Sequence, residues 1–261
     1  MRVGVVGFAN TLPLAHGLEA FLPGATVVRT TPAAIADGLH SGSLDVGLVP
    51  VAALAAHPGW TVVPGLGIAS EGPVRSVLLL SRVAPERITR LVLDPASRTS
   101  NQLAQLWLKH RVGVEPEVLP GPPVAIDRLL AGDATVAIGD DALFFPGRAE
   151  RAIDLGGAWA EWTGLPFVFA VWAGPGPLAP ELAVAFEACY RENAKRIDAL
   201  AEGEARGDRV RKGILISYLR DSIRYRLGLR ETQGLARYLA LGSDAGYFPR
   251  RAEGAPHVHV G

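Results

Sequence analysis

The stretch Asp94-Pro95-Ala96-Ser97-Arg98-Thr99-Ser100-Asn101 runs directly into Gln102-Leu103-Ala104-Gln105-Leu106-Trp107-Leu108. Before it stands Ile88-Thr89-Arg90-Leu91-Val92-Leu93, a short apolar run bounded by charge and proline, which reads as a buried strand. After it, Leu103, Leu106 and Trp107 recur at helical spacing. The segment is therefore strand, tight polar turn, helix start, which is the repeating unit of an α/β fold. A helix start carries unpaired N–H groups and a partial positive charge. Ser97, Arg98, Thr99 and Ser100 add three hydroxyls and a guanidinium at that point. Such a turn suits a carboxylate or phosphate. The same residues also fit a richly capped helix, since Ser and Thr are favoured caps. The sequence leaves both readings open.

Working outward, Val3 to Phe8 reads as a buried strand that ends at Asn10-Thr11-Leu12-Pro13, with Pro13 suited to a first helical turn. Asn10 fits either a helix cap or a ligand contact at that strand end. Strand 25–31 leads to helix 33–40. Leu44-Asp45-Val46-Gly47-Leu48-Val49-Pro50 is a short strand, 52–56 a brief helix and 60–68 a further strand. Beyond the Asp94 turn come helix 100–110, strand 115–119 and a short helix at 126–131. The segment Gly132 to Leu143 then echoes Gly42 to Val49: helix, Gly, polar residue, strand of small apolar residues. The echo predicts two similar α/β lobes on mostly parallel sheets. The long strands 76–81 and 167–173 are expected to be paired crossings between the lobes. Ile153 to Gly156 should lead into a turn carrying Trp159 and Trp162. The chain after Pro180 reads as helices 180–201, 208–226 and 231–241, stopped at Gly228 and Gly242. The expected division is 1–80 plus 174–261 for lobe one and 81–173 for lobe two.

Composition narrows the function classes. The 261 residues are 49% hydrophobic, enough for a sizeable core, and 26 Lys and Arg balance 26 Asp and Glu. No global field recruits nucleic acid or an anionic membrane, so neither is expected as a partner. No stretch reaches the roughly 20 apolar residues of a membrane span. Met1-Arg2 leads straight into Val3 to Gly7, too short for a signal h-region, so a cytoplasmic protein is expected. The single cysteine, Cys189, excludes an internal disulfide and reads as a buried small side chain. His16, His40, His57 and His110 are scattered, and His257 and His259 read as a solvated tail pair, so no metal site is expected. There is no Walker loop, no dinucleotide-binding glycine turn and no Gly-x-Ser-x-Gly elbow. What remains are polar turns at strand ends: Asn10-Thr11, Arg75-Ser76, Ser97 to Asn101, Asp140-Asp141 and Thr163. Converging on one cleft, they would hold a small, doubly anionic ligand.

Several blocks resemble one family in order along most of the chain. They are Asn10-Thr11-Leu12-Pro13-Leu14, Leu44 to Pro50, Asp94-x-x-Ser97-Arg98-Thr99-Ser100, Ile138-Gly139-Asp140-Asp141-Ala142-Leu143 and Trp162-Thr163-Gly164-Leu165-Pro166-Phe167-Val168-Phe169-Ala170. The stretch Tyr218-Leu219 to Tyr225 fits its C-terminal part. The family is that of the chorismate dehydratases of the futalosine route to menaquinone. Ala9 departs from it, standing where the family commonly has a larger aliphatic residue. The resemblance implies a two-lobed fold similar to type 2 periplasmic binding proteins, with a cleft between the lobes. It also implies dehydration of chorismate to 3-[(1-carboxyvinyl)oxy]benzoate without a cofactor, because loss of water needs no redox change. The implied assignment makes Asn10 and Ser76 catalytic. Thr11, Ser97, Arg98, Thr99, Ser100, Asp140 and Thr163 then bind the substrate, with no metal. Two alternatives are a 1,4-dihydroxy-6-naphthoate synthase of the same pathway and a non-catalytic binding protein for a small cyclic carboxylate. No feature of the sequence assigns an oligomeric state.

Overall fold

The computed structural model describes residues 1–145 and 149–248. The chain opens with β1 (Arg2–Val6) and α1 (Leu12–Ala15), with Pro13 in the first turn, then β2 (Thr26–Thr30) and α2 (Pro32–His40). β3 (Val46–Pro50), α3 (Ala52–Ala56), the long β4 (Trp60–Ser70) and β5 (Val77–Ser81) follow. Next come β6 (Arg90–Leu93), α4 (Thr99–Trp107), β7 (Glu117–Pro120), α5 (Ala125–Ala131), β8 (Ala134–Ile138) and α6 (Gly139–Leu143). β9 (Arg151–Asp154), α7 (Leu155–Thr163) and β10 (Phe167–Pro175) precede α8 (Glu181–Ala194), α9 (Ile197–Ala205) and α10 (Arg209–Ser217). β11 (Arg224–Arg226) and α11 (Leu229–Asp244) complete the described chain.

Two sheets result. One has the order β11-β4-β10-β3-β1-β2, the other β7-β6-β8-β5-β9. β3 lies between a parallel β1 and an antiparallel β10, and β8 between a parallel β6 and an antiparallel β5. The two echoing segments therefore occupy equivalent places, one in each lobe. α2 packs close on its sheet because Gly47 offers no side chain there: a Cβ would lie 2.5 Å from Ile35. Trp172 stacks on Phe186 at 4.2 Å in the first lobe's core. α11 packs on both β10 and α4, and its buried Tyr238 donates to Gln102 at 2.9 Å, tying the first lobe to the second.

The structure corrects several expectations. Both sheets are mixed rather than mostly parallel, since β5 and β10 run antiparallel to their neighbours. Strands 76–81 and 167–173 are not a paired crossing: β5 belongs to the second sheet and β10 to the first. The chain passes between sheets in the segments just before each of them, so boundaries at 80/81 and 173/174 fall one strand late. The Trp159 and Trp162 segment is the helix α7, started by the Asp154 carboxylate, which accepts from Gly157 N. The expected helix 180–201 is broken at Lys195-Arg196 into α8 and α9. The expected helix 208–226 stops at Ser217, passes through a π-helical turn, Tyr218–Ser222, and ends in the edge strand β11. Ile223, Tyr225 and Leu227 point inward while Arg224 and Arg226 face solvent, a period of two that the arginines disguise. Gly228 starts α11 rather than stopping its predecessor, and Gly242 lies inside α11. His257 and His259 lie outside the described residues.

Candidate active site

The Asp94 turn is fixed from beneath. Asn101 Nδ2 donates to Asp94 O at 2.8 Å and to Ser97 O at 2.5 Å, while Asn101 Oδ1 accepts from Asp94 N at 3.2 Å. Asp94 accepts from Ala96 N and pairs with the buried Arg128 at 2.7 Å. Burial is the largest influence on both partners, pushing the Asp94 carboxyl up and the Arg128 guanidinium down. Asp94 thus serves its own turn. Ser97 Oγ accepts from Ser100 N at 3.2 Å, a capping bond at the start of α4. Thr99 Oγ1 accepts from Ala52 N at 3.2 Å, across to the first lobe. Arg98 donates to Asp37 of α2 at 3.1 Å, a second link between lobes, with both side chains well exposed.

This turn forms one wall of a cavity of about 70 Å³ between the lobes. Asn10, Ser76, Ser97, Arg98, Thr99 and Ser100 all line it, among apolar side chains that include Val6, Phe8, Leu48, Ile68 and Phe169. Gly139 lines it too, in a left-handed conformation (φ 63°), and a Cβ there would lie 2.7 Å from the Phe8 ring. Only glycine lets the two lobes approach at that point. Ser76 is fully buried, and its Oγ accepts from Tyr218 Oη at 2.7 Å. The residue before it, Arg75, has a φ of 67°, rare for a side chain of this kind. Its N–H donates to Asp154 Oδ2 at 2.6 Å, and Val74 N donates to the other oxygen at 2.9 Å. Asp154 therefore fixes the crossing that delivers Ser76. Asn10 Oδ1 is buried without a hydrogen-bond partner, a cost that a bound donor would remove.

Three expected ligand residues are elsewhere. Thr11 is buried and donates to Val6 O and Phe8 O at 2.9 and 2.8 Å, tying the turn rather than lining the cavity. Thr163 donates to Trp159 O and accepts from Leu165 N, closing the end of α7. Asp140 accepts from Ala9 N at 3.2 Å and faces Arg211 at 3.7 Å, on a separate surface hollow shared with Asp141 and Phe144. Burial pushes the Asp140 carboxyl up. Two residues that sequence reasoning did not assign to the site are Tyr218 and Asp154. A tyrosine at the end of an apolar helix and an aspartate before a glycine pair carry no local signal of either role.

Among the described residues, no side chain lining the cavity is a carboxylate, an imidazole or a thiol. The cavity can donate hydrogen bonds to an anion and enclose an apolar ring. A family profile described as menaquinone biosynthesis matches residues 1–244. The chain belongs to the menaquinone biosynthesis family. Within reach of that family, the chain is 33% identical over 265 residues to the chorismate dehydratase of Thermus thermophilus, covering 92% of this chain and 94% of the relative. Protein AF1704 from Archaeoglobus fulgidus matches with a TM-score of 0.74 at 15% identity, over 95% of this chain and 98% of that one. The periplasmic aliphatic sulphonate binding protein SsuA from Escherichia coli matches with a TM-score of 0.64 at 17% identity, over 97% and 89%. At those identities the likeness is one of fold, and it is the two-lobed periplasmic-binding-protein fold. This member of the family thus carries its polar turns on that fold.

Proposed function

We propose that the chain is a chorismate dehydratase, a hydro-lyase that converts chorismate to 3-[(1-carboxyvinyl)oxy]benzoate and water. The observation that carries this reading is the meeting of Asn10, Ser76 and the Ser97–Ser100 turn in one interlobe cavity. It is supported by the 33% identity to a chorismate dehydratase across nearly the whole chain. The start of α4 with Ser97, Thr99 and Ser100 suits a substrate carboxylate. Arg98, engaged with Asp37, contributes mainly its backbone and its charge.

Dehydration removes the proton at ring C3 and the hydroxyl at C4, and the ring becomes aromatic. Among the described residues, no side chain lining the cavity is a conventional base. Asp45 is bound to Arg2, Asp94 to Arg128, and Asp140 lies outside. The enolpyruvyl carboxylate of the substrate is therefore the base we favour, held close to the C3 proton as an intramolecular group. Asn10 and Ser76 orient the ligand and stabilise charge that moves to the ring carboxylate and the departing hydroxyl. The reaction calls for no cofactor, since no electrons are gained or lost. With this function go the futalosine route and a cytoplasmic location. No helix of the described residues is long and apolar enough to cross a membrane.

Turnover of chorismate in a variant panel tests the assignment. Asn10→Ala and Ser76→Ala should each lower kcat by roughly 10²- to 10³-fold, the usual cost of removing a preorganised donor. Asp140→Asn and Asp141→Asn should stay within a few-fold of wild type. The reverse pattern, with folded aspartate variants inactive and Asn10→Ala unaffected, would assign the base to an aspartate.

A further inference from the structure

The Tyr218 hydroxyl lies fully buried against Ser76, one of the two side chains that the proposed chemistry uses. It opens the π-helical turn after α10 and donates to Ser76 Oγ at 2.7 Å. Burial raises this phenol far above its ordinary value, so it stays neutral and keeps its one proton. A hydroxyl oxygen that accepts one hydrogen bond still has its own proton to place. For Ser76 the open side is the cavity that it lines.

Neighbouring contacts hold the same two segments together. Ser217, the residue before Tyr218, accepts from the Arg75 guanidinium at 2.8 Å. Consecutive residues at the end of α10 thus grip consecutive residues of the crossing, Arg75 and Ser76. Arg75 is in a left-handed conformation, and Asp154 holds its N–H from the other side. Such a backbone persists where its surroundings over-determine it, and it concentrates at functional sites.

We infer that Tyr218 is a positioning residue that commits its proton to Ser76 Oγ and so fixes the Ser76 hydroxyl as a donor into the interlobe cavity. The contact between the two hydroxyls stands on the geometry alone, whereas its consequence for turnover rests on the chorismate reading. A tyrosine that merely filled space would alter stability and leave the kinetic constants in place.

Tyr218→Phe keeps the ring and removes the proton. In the full-length protein it should leave KM for chorismate within about twofold and lower kcat by about tenfold or more. That loss is smaller than for Ser76→Ala, because the serine remains but is free to turn. The double variant should be no slower than Ser76→Ala alone, because both remove one interaction. A Tyr218→Phe kcat within twofold of wild type, or losses that multiply in the double variant, overturns the inference. Proton NMR of tyrosine-labelled protein tests the bond without turnover or a foldable Tyr218 variant. A slowly exchanging, downfield Tyr218 hydroxyl proton is expected, moving upfield in Ser76→Ala. No movement in Ser76→Ala overturns the inference even if the enzyme is active. Wild-type protein that shows the NMR signature but leaves chorismate unchanged removes the substrate assignment and keeps the positioning role.

Discussion

Cys189 sits beside the first lobe's core, where Asn193 Nδ2 approaches its sulfur at 3.4 Å and the sulfur faces His16 O. Burial pushes its thiol up to about 11, so at pH 8 only about one molecule in a thousand carries the reactive thiolate. The native protein should therefore resist a thiol reagent such as DTNB for many minutes at pH 8. Denatured protein should then release one equivalent per chain, and rapid labelling of the native form would contradict the assigned burial. Cys189 was legible as a buried small residue because it lies on the apolar stripe of a helix. Ser97, Thr99 and Ser100 were legible for a related reason: strand, turn and helix start fix where such residues stand. Thr11, Thr163 and Asp140 were not. Whether a threonine hydroxyl faces a ligand or closes on a carbonyl of its own turn depends on a few ångströms of tertiary geometry. Asp140 looked like a cleft residue from its place after β8, but it turned to the Ala9 N–H and Arg211 instead.

The Ser97 turn depends on an element that the sequence showed only as a short helix. Arg128 of α5 is 1% exposed and donates to Asp94, Thr135, Val136 O, Pro122 O and Pro123 O. Arg128→Met should destabilise the protein by about 3–5 kcal/mol, because Asp94 is left buried without its partner. Urea unfolding reads this directly, and a loss under about 1 kcal/mol would mean that the pair is not holding the turn. The Ser97 turn should loosen as well, since Asp94 also fixes Ala96. At this scale the parallel units β1-α2-β3 and β6-α5-β8 were readable, because apolar runs and glycine stops are local signals. β11 and the ends of α10 were not, because a tyrosine and two arginines continue a helical pattern as readily as they alternate on a sheet edge. The assignment of β5 and β10 to opposite sheets was hidden too, since an apolar strand carries no mark of its partner.

Across the molecule, acid should weaken the fold through carboxylates that the structure holds in the charged form. Hydrogen bonds from Arg2 keep the Asp45 carboxyl below its ordinary value, and those from Thr89 do the same for Asp133. Each native value lies below the unfolded value of about 3.9. Their contribution is therefore present in full above about pH 4 and is lost as pH falls through the lowered native values. An Asp45→Asn, Asp133→Asn double variant should lose stability at pH 7 and show a shallower decline than wild type below pH 4. An identical decline in the two proteins would mean that these bonds carry no such linkage. The lobes, the cavity and the family were readable from blocks spread along the whole chain. How the lobes tie together was not, because Thr99–Ala52, Arg98–Asp37 and Tyr238–Gln102 join residues far apart in sequence. The central claim is that this cavity dehydrates chorismate. Purified protein incubated with chorismate and followed by mass spectrometry should show substrate disappearing as a product 18 mass units lighter accumulates, identical to 3-[(1-carboxyvinyl)oxy]benzoate. Chorismate left at the rate of its uncatalysed decay, with no such product, would contradict the account.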